Sequence, residues 1–241
     1  MATKNSKPMQ KSTPTQKPMT KPSQKVITIY GIQSPHVARV RAALFIKGLP
    51  FQHVSVNLRN RSPEFIKLAP HGKIPVLEDT DGTVVGDSFF IIKYLDEKYP
   101  NTPRVVPNTP EGTVMLGKTN DIITTLMNRI EPLYVEKFNM AEGLTKSGMS
   151  QRAIVYSKQQ KEDLKKEVKQ KLETLDKIRA GKKYFTGSLS YVDIALLSLL
   201  SSLQWFEISI DPLQGWMNDR MKEKPLQQMF APQTEKGVRE I

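Results

Sequence analysis

A proline set inside an apolar strand pattern, Gly72-Lys73-Ile74-Pro75-Val76-Leu77, constrains this chain more than any other stretch. The proline ring bars the preceding residue from the right-handed helical region, so Ile74 is extended. An X-Pro bond at such a corner is also the place to expect a cis peptide. Held there, Ile74 would present its backbone N–H and C=O sideways, ready to pair with an extended peptide by strand addition. Further on, Asp87-Ser88 precede the apolar run Phe89-Phe90-Ile91-Ile92. Ser88 reads as the N-cap of a helix whose first N–H groups are free and partly positive. Such a helix start receives a carboxylate, and Asp87 beside it would receive an ammonium. The layout suits a small zwitterionic peptide with a free amine and a free carboxylate at one end.

The pattern around this corner is a compact α/β unit. Val26-Ile27-Thr28-Ile29-Tyr30 is a β-branched strand. Ser34-Pro35 is a cap followed by proline at the first helical position. Val37, Val40, Ala43 and Leu44 then recur at helical spacing until Gly48. Phe51 to Asn57 is a second strand, parallel to the first if the helix is a crossover. Ser62-Pro63 opens a short helix through Leu68, Ile74–Glu78 and Thr83–Val85 form a hairpin around Asp81-Gly82, and a helix from Phe89 to Lys98 closes the unit. The order is βαβ–α–ββα. After a turn-rich linker at 101–111 the pattern is helical throughout. A long helix spans Thr113–Met140, with a kink expected at Pro132. An amphipathic helix spans Lys158–Ala180. Ser190 to Asp193 form a capping box for a buried helix, Ile194–Phe206, in which Trp205 and Phe206 read as core. Gln214–Lys224 is a last helix, stopped by Pro225. The domain reading is a tail at 1–25, an α/β domain at 26–100, a linker at 101–111 and a helical domain at 112–241.

With 241 residues, 38% of them hydrophobic, the chain can bury a real core. It has no cysteine, which excludes disulfides, thiolate metal sites and protein-thiol redox chemistry. No apolar run approaches the roughly 20 residues needed to span a bilayer. Half of the +12 formal charge comes from Lys4, Lys7, Lys11, Lys17, Lys21 and Lys25, which no acid offsets. That proline- and lysine-rich segment reads as a solvated extension. A weaker alternative is a salt-sensitive tether to nucleic acid or an anionic membrane, without base stacking because no aromatic is interleaved.

The order βαβ–α–ββα with Ile74-Pro75, Asp87-Ser88 and an all-helical second half resembles the cytosolic glutathione transferases, from Val26 to Pro225. Ser34-Pro35-His36-Val37-Ala38-Arg39-Val40-Arg41 is similar to the first-helix signature of the serine-type members. Ala69 to Leu77 resembles the loop before their cis-proline strand, and Asp87-Ser88 with Tyr94-Leu95 resembles their glutamyl-binding helix start. Phe185-Thr186-Gly187 with Ser190 to Asp193, and Trp216, Arg220, Met221 and Pro225, match second-domain signatures. Asp87 stands where most serine-type members carry Glu.

The resemblance implies a thioredoxin-like domain joined to an all-α domain. Glutathione would be the co-substrate, with no metal. The Ile74 backbone, at its Pro75 corner, would pair with the cysteinyl unit. Ser88 would take the γ-glutamyl carboxylate, Asp87 the amine, and Lys73 and Arg61 the glycine carboxylate. Ser34 would donate its hydroxyl to the sulfur for attack on a small apolar electrophile or a peroxide. His36, Met127, Tyr134 and Met140 are candidate walls for that second substrate. A homodimer and a cytoplasmic location are implied as well. Blander readings stand beside these: Ser34 as a helix cap only, Lys73 and Arg61 as surface charges, His53 as structural. More diffusely, Tyr94 to Pro100 and Tyr184-Phe185 with Val192-Asp193 resemble the stringent starvation protein A family. That likeness implies a non-catalytic protein that binds RNA polymerase.

Overall fold

The structure is a computed structural model that describes residues 25–137, 155–231 and, by backbone alone, 238–240. The α/β part runs β1 (Ile27–Gly31), α1 (Pro35–Lys47), β2 (Phe51–Ser55), α2 (Pro63–Leu68), β3 (Val76–Glu78), β4 (Val84–Gly86) and α3 (Ser88–Lys98). Helices α4 (Pro110–Lys137), α5 (Lys158–Arg179), α6 (Tyr191–Trp205), α7 (Gln214–Arg220) and α8 (Lys224–Gln227) follow, with a 3-10 turn at Asp211–Leu213. The sheet order is β4-β3-β1-β2-β5. β1 and β2 are parallel, with Ile27 opposite Phe51, and β3 is antiparallel to both β1 and β4. This is the thioredoxin-like sheet with an all-helical second half. The added strand β5 (Val238–Glu240) lies parallel to β2 and had no sequence pattern to announce it.

α1 is built as its sequence demands. Ser34 Oγ accepts the Val37 N–H at 3.3 Å, Pro35 occupies the first turn, and Gly48 ends the helix at φ 66°. One face of α1 gives Val40 and Leu44 to a core with Ile27, Ile29, Leu77, Ile91 and Leu95. Its other face gives Ala38, Ala42 and Ala43 to the helical core with Ile123, Leu126 and most of α6. On the opposite side of the sheet Tyr30, Val54, Phe65 and Val76 pack under α2.

A buried ion pair ties these layers together. Lys47 Nζ lies 2.7 Å from Asp96 Oδ1, and both side chains are fully buried. Lys47 also donates to the Pro103 carbonyl, while Asp96 accepts from Val105 N–H and Val106 N–H. Tyr191 N–H, at the start of α6, then donates to the Val105 carbonyl at 2.8 Å.

α4 runs through Pro132 as one continuous helix, lacking the proline N–H that would have bonded one turn back. Two expectations need correction. Pro225 does not end the chain's helical run. It sits in the first turn of α8, where a missing N–H costs nothing. Trp205 is 41% exposed, not core, because α6 ends there and Lys137 Nζ lies 4.1 Å from its ring centroid.

Two measurements test this frame. Asp96→Ala leaves Lys47 charged and unpaired in the interior and is expected to cost about 3–5 kcal/mol in urea unfolding. Asp193 caps α6 by accepting Phe185 N–H, Ser190 N–H and the Ser190 hydroxyl. Burial outweighs those bonds and pushes its carboxyl up to about 6. The folded carboxyl then holds its proton more tightly than the unfolded one. Stability is therefore favoured below about pH 4 and falls as pH rises through about 6. Asp193→Asn should flatten that slope in a pH series of unfolding curves; an unchanged slope assigns it elsewhere.

Candidate active site

The Ile74–Pro75 bond is cis. Ladder pairing begins only at Val76, opposite Tyr30 and Gly86. Among the described residues the Ile74 N–H and C=O have no hydrogen-bond partner. The loop leading to this corner is held by its own chemistry. Gly72 N–H donates to the Ala69 carbonyl, and Gly72 adopts φ 64°. Arg61 donates from Nε to the Gly72 carbonyl at 2.8 Å and from Nη1 to the Leu58 carbonyl at 2.7 Å. Its Nη2 alone is uncommitted among the described residues. Lys73 is exposed, and its N–H donates to His71 Nδ1. Gly31 sits between α1 and this corner with no room for a side chain. A Cβ there would stand 2.6 Å from Val37 Cγ2 and 3.6 Å from Ile74 Cβ.

The start of α3 differs from the expectation. Asp87, not Ser88, is the cap: its Oδ1 accepts Phe89 N–H at 2.8 Å and Phe90 N–H at 3.4 Å. Ser88 is the first helical residue. The reason is backbone shape. Asp87 sits at φ 66°, ψ 131°, which turns its short side chain over the helix end. Such a conformation costs about 1–3 kcal/mol for a residue other than glycine. The shift leaves the Ser88 hydroxyl and N–H without partners among the described residues, although Ser88 itself is buried. Asp87 is exposed, with Oδ2 not used in capping.

The start of α1 faces this same region. His36 keeps solvent contact while its surroundings are densely packed. Lost solvation, then the Arg39 cation, press its pKa down to about 4, with Asp87 acting the other way. Arg39, which sequence reasoning quoted only as part of a motif, is 5% exposed and donates from Nε to Ser198 Oγ of α6 at 2.7 Å. Its Nη2 has no hydrogen-bond partner among the described residues. Burial lowers its pKa, and Tyr191 and Asp87 work against that fall. Tyr191, also missed, packs its ring edge-on to Phe89 at 5.0 Å. The signal for both was a polar group on the buried side of an apolar-spaced helix.

Of the candidate second-substrate residues, Met127 and Tyr134 both lie on α4, two turns apart. Met127 is buried in the helical core. Tyr134 packs against Phe206 and Trp205, with centroids at 4.6 and 5.5 Å. Met140 lies outside the described residues. No group of three or more metal-binding side chains occurs among the described residues. His53 is structural: its Nε2 donates to the Gly31 carbonyl at 2.9 Å.

Comparison with known proteins agrees with this fold. The N-terminal domain family of glutathione S-transferase matches residues 31–103, and the corresponding C-terminal domain family matches residues 149–223. Glutathione S-transferase U22 of Arabidopsis thaliana is 30% identical over 178 residues, which span 73% of this chain and 71% of that protein. The chain belongs to the glutathione S-transferase family. Glutathione S-transferase omega-1 of Sus scrofa is 28% identical over 205 residues, 82% of this chain and 78% of its own length. Rice GST1, solved in complex with glutathione, shares the fold of this transferase with a TM-score of 0.66. It covers 87% of this chain with 93% of its own, at 21% identity.

The close approach at Gly31 gives a test. Gly31→Ala would overpack the buried Val37 and should cost about 1–3 kcal/mol in urea unfolding. Gly215→Ala, in α7 with open space around it, should be neutral or stabilise by about 0.5–1 kcal/mol.

Proposed function

We propose that this glutathione transferase activates the thiol of its co-substrate through Ser34 and directs the thiolate at a small apolar electrophile or a peroxide. The observation that carries the proposal is the state of the Ser34 hydroxyl. Its oxygen accepts from Val37 N–H, which leaves its own proton to donate outward. The cap and the sulfur donor are therefore compatible roles of one hydroxyl. A free thiol has a pKa of about 8.5 and is mostly protonated at neutral pH. A donated hydrogen bond, the α1 N-terminus and the Arg39 cation all favour the thiolate.

The rest of the tripeptide follows from groups without partners of their own. The Ile74 main chain pairs with the cysteinyl unit. The Ser88 hydroxyl and N–H receive the γ-glutamyl carboxylate at the positive start of α3, and Asp87 Oδ2 takes the amine. Lys73 and Arg61 Nη2 face the glycine carboxylate, Arg61 acting mainly by holding the loop. Phe90, 61% exposed on α3, supports a homodimer that covers this face. No helix among the described residues is long and apolar enough to cross a membrane; we place the enzyme in the cytoplasm on the strength of the family resemblance. No observation favours the polymerase-binding alternative.

Ser34→Ala is the test. Turnover with an aryl halide should fall about 10²–10³-fold, the loss of one preorganised donor. The pKa of bound glutathione, read from thiolate absorbance, should climb back toward 8.5 while glutathione still binds by calorimetry. Unchanged turnover and an unchanged thiol pKa would sink the assignment.

A further inference from the structure

A second polar site lies across β1 from the cleft. The carboxyl ends of the parallel strands β1 and β2 open into a cavity of about 170 Å³ lined by Gly31, Ile32, Gln33, Arg41, His53, Ser55 and Ala231. Crevices at the carboxyl ends of parallel strands are the usual ligand positions in α/β sheets. This one is smaller than the roughly 300–1,000 Å³ of organic-ligand pockets, a size suited to one ion with a little water.

Its chemistry is one-sided. Arg41 is 6% exposed, and its Nη2 donates to the Gln228 carbonyl at 3.0 Å. Its Nε is buried with no hydrogen-bond partner. Burial alone accounts for the fall in its pKa, with no carboxylate among the described residues acting on it. No acidic side chain among the described residues lines the cavity. The Ser55 hydroxyl has no partner among the described residues. Gln33 Nε2 is spent on the Phe230 carbonyl, and His53 Nε2 on the Gly31 carbonyl. A buried guanidinium without a counter-charge is costly, and a hydrogen-bonding anion relieves that cost.

We propose that this cavity binds a small oxyanion of the phosphate or sulfate class, through the Arg41 guanidinium and the Ser55 hydroxyl. The site is separate from the groups assigned to glutathione, but Gly31 to Gln33 form one of its walls and Ser34 follows directly. An anion held there would brace the strand-to-helix loop that carries the thiol-activating hydroxyl.

The test is thermal unfolding of the full chain in inorganic phosphate, against potassium chloride of equal ionic strength. The parent midpoint should rise saturably, by about 5–10 °C at a hundredfold excess over Kd. Arg41→Met, which removes the unpaired charge, should unfold no lower than the parent in chloride and should not respond saturably to phosphate. An equal rise in both proteins would mark general salt exclusion and overturn the proposal. A nucleoside monophosphate added in place of phosphate separates a free ion from a phosphoryl group on a larger molecule; saturable, Arg41-dependent binding of either supports the site. Should Arg41→Met fail to fold, the Arg41 Nε–H resonance of the parent decides. A saturable shift with slowed exchange on adding phosphate supports the site, and no shift overturns it. Ser34→Ala should retain the response, so failure of the glutathione assignment and failure of this one are distinguishable.

Discussion

The Asp96 carboxylate accepts from the last residue of α1 and from two consecutive main-chain N–H groups that follow α3. It does so with no solvent to share the work. One group thus fixes how the sheet unit hands the chain to the helices. The carbonyl of Val105, oriented by the same contacts, receives the first N–H of α6. The relay ties the end of α1 to the start of α6. The cleft chemistry depends on it, because Arg39 reaches from one of those helices to Ser198 on the other. A second carboxylate does the equivalent job for the hairpin. Asp79 accepts from the Tyr94 and Tyr99 hydroxyls at 2.6 and 2.5 Å, pinning β3–β4 to α3. Burial works to raise that carboxyl, and those hydrogen bonds hold it below its usual range.

The frame was legible where local chemistry decides shape. Ser34-Pro35 and Ser62-Pro63 each cap a helix as read, because a hydroxyl followed by proline has few other uses. Ile74-Pro75 marks the corner because proline restricts its neighbour whatever the tertiary setting. The exchange of roles between Asp87 and Ser88 was not legible. Both residue types cap helices, and the choice goes with a positive φ at Asp87 that the local sequence does not announce. Arg39 and Arg41 were quoted as a motif, but their burial could not be seen. Their partners are Ser198 and the Gln228 carbonyl, far away in the chain. β5 was invisible for the same reason: its partner is a strand near the other end of the sequence. Trp205 misled because its neighbours in α6 are buried, and one exposed position at a helix end leaves no periodic trace.

The cleft gathers positive ends and withholds partners. The α1 and α3 starts lie close enough for Asp87 to act electrostatically on His36 and Arg39. Around them stand the Ile74 main chain and the Ser88 hydroxyl, both unpaired among the described residues. In a folded protein most buried polar groups are satisfied internally. Groups left open at two neighbouring places are what the proposed glutathione site draws on.

Helix α1 belongs to both cores at once. Val40 and Leu44 pack on the sheet, while Ala38, Ala42 and Ala43 pack on the helices. The two halves are therefore not interchangeable modules, despite the change of architecture at the linker. Any hybrid that joins this sheet unit to a relative's helical half inherits an alanine-lined face cut to fit one partner. Such a chimaera has to move the α6 surface together with α1, or accept a void or a clash along the whole seam.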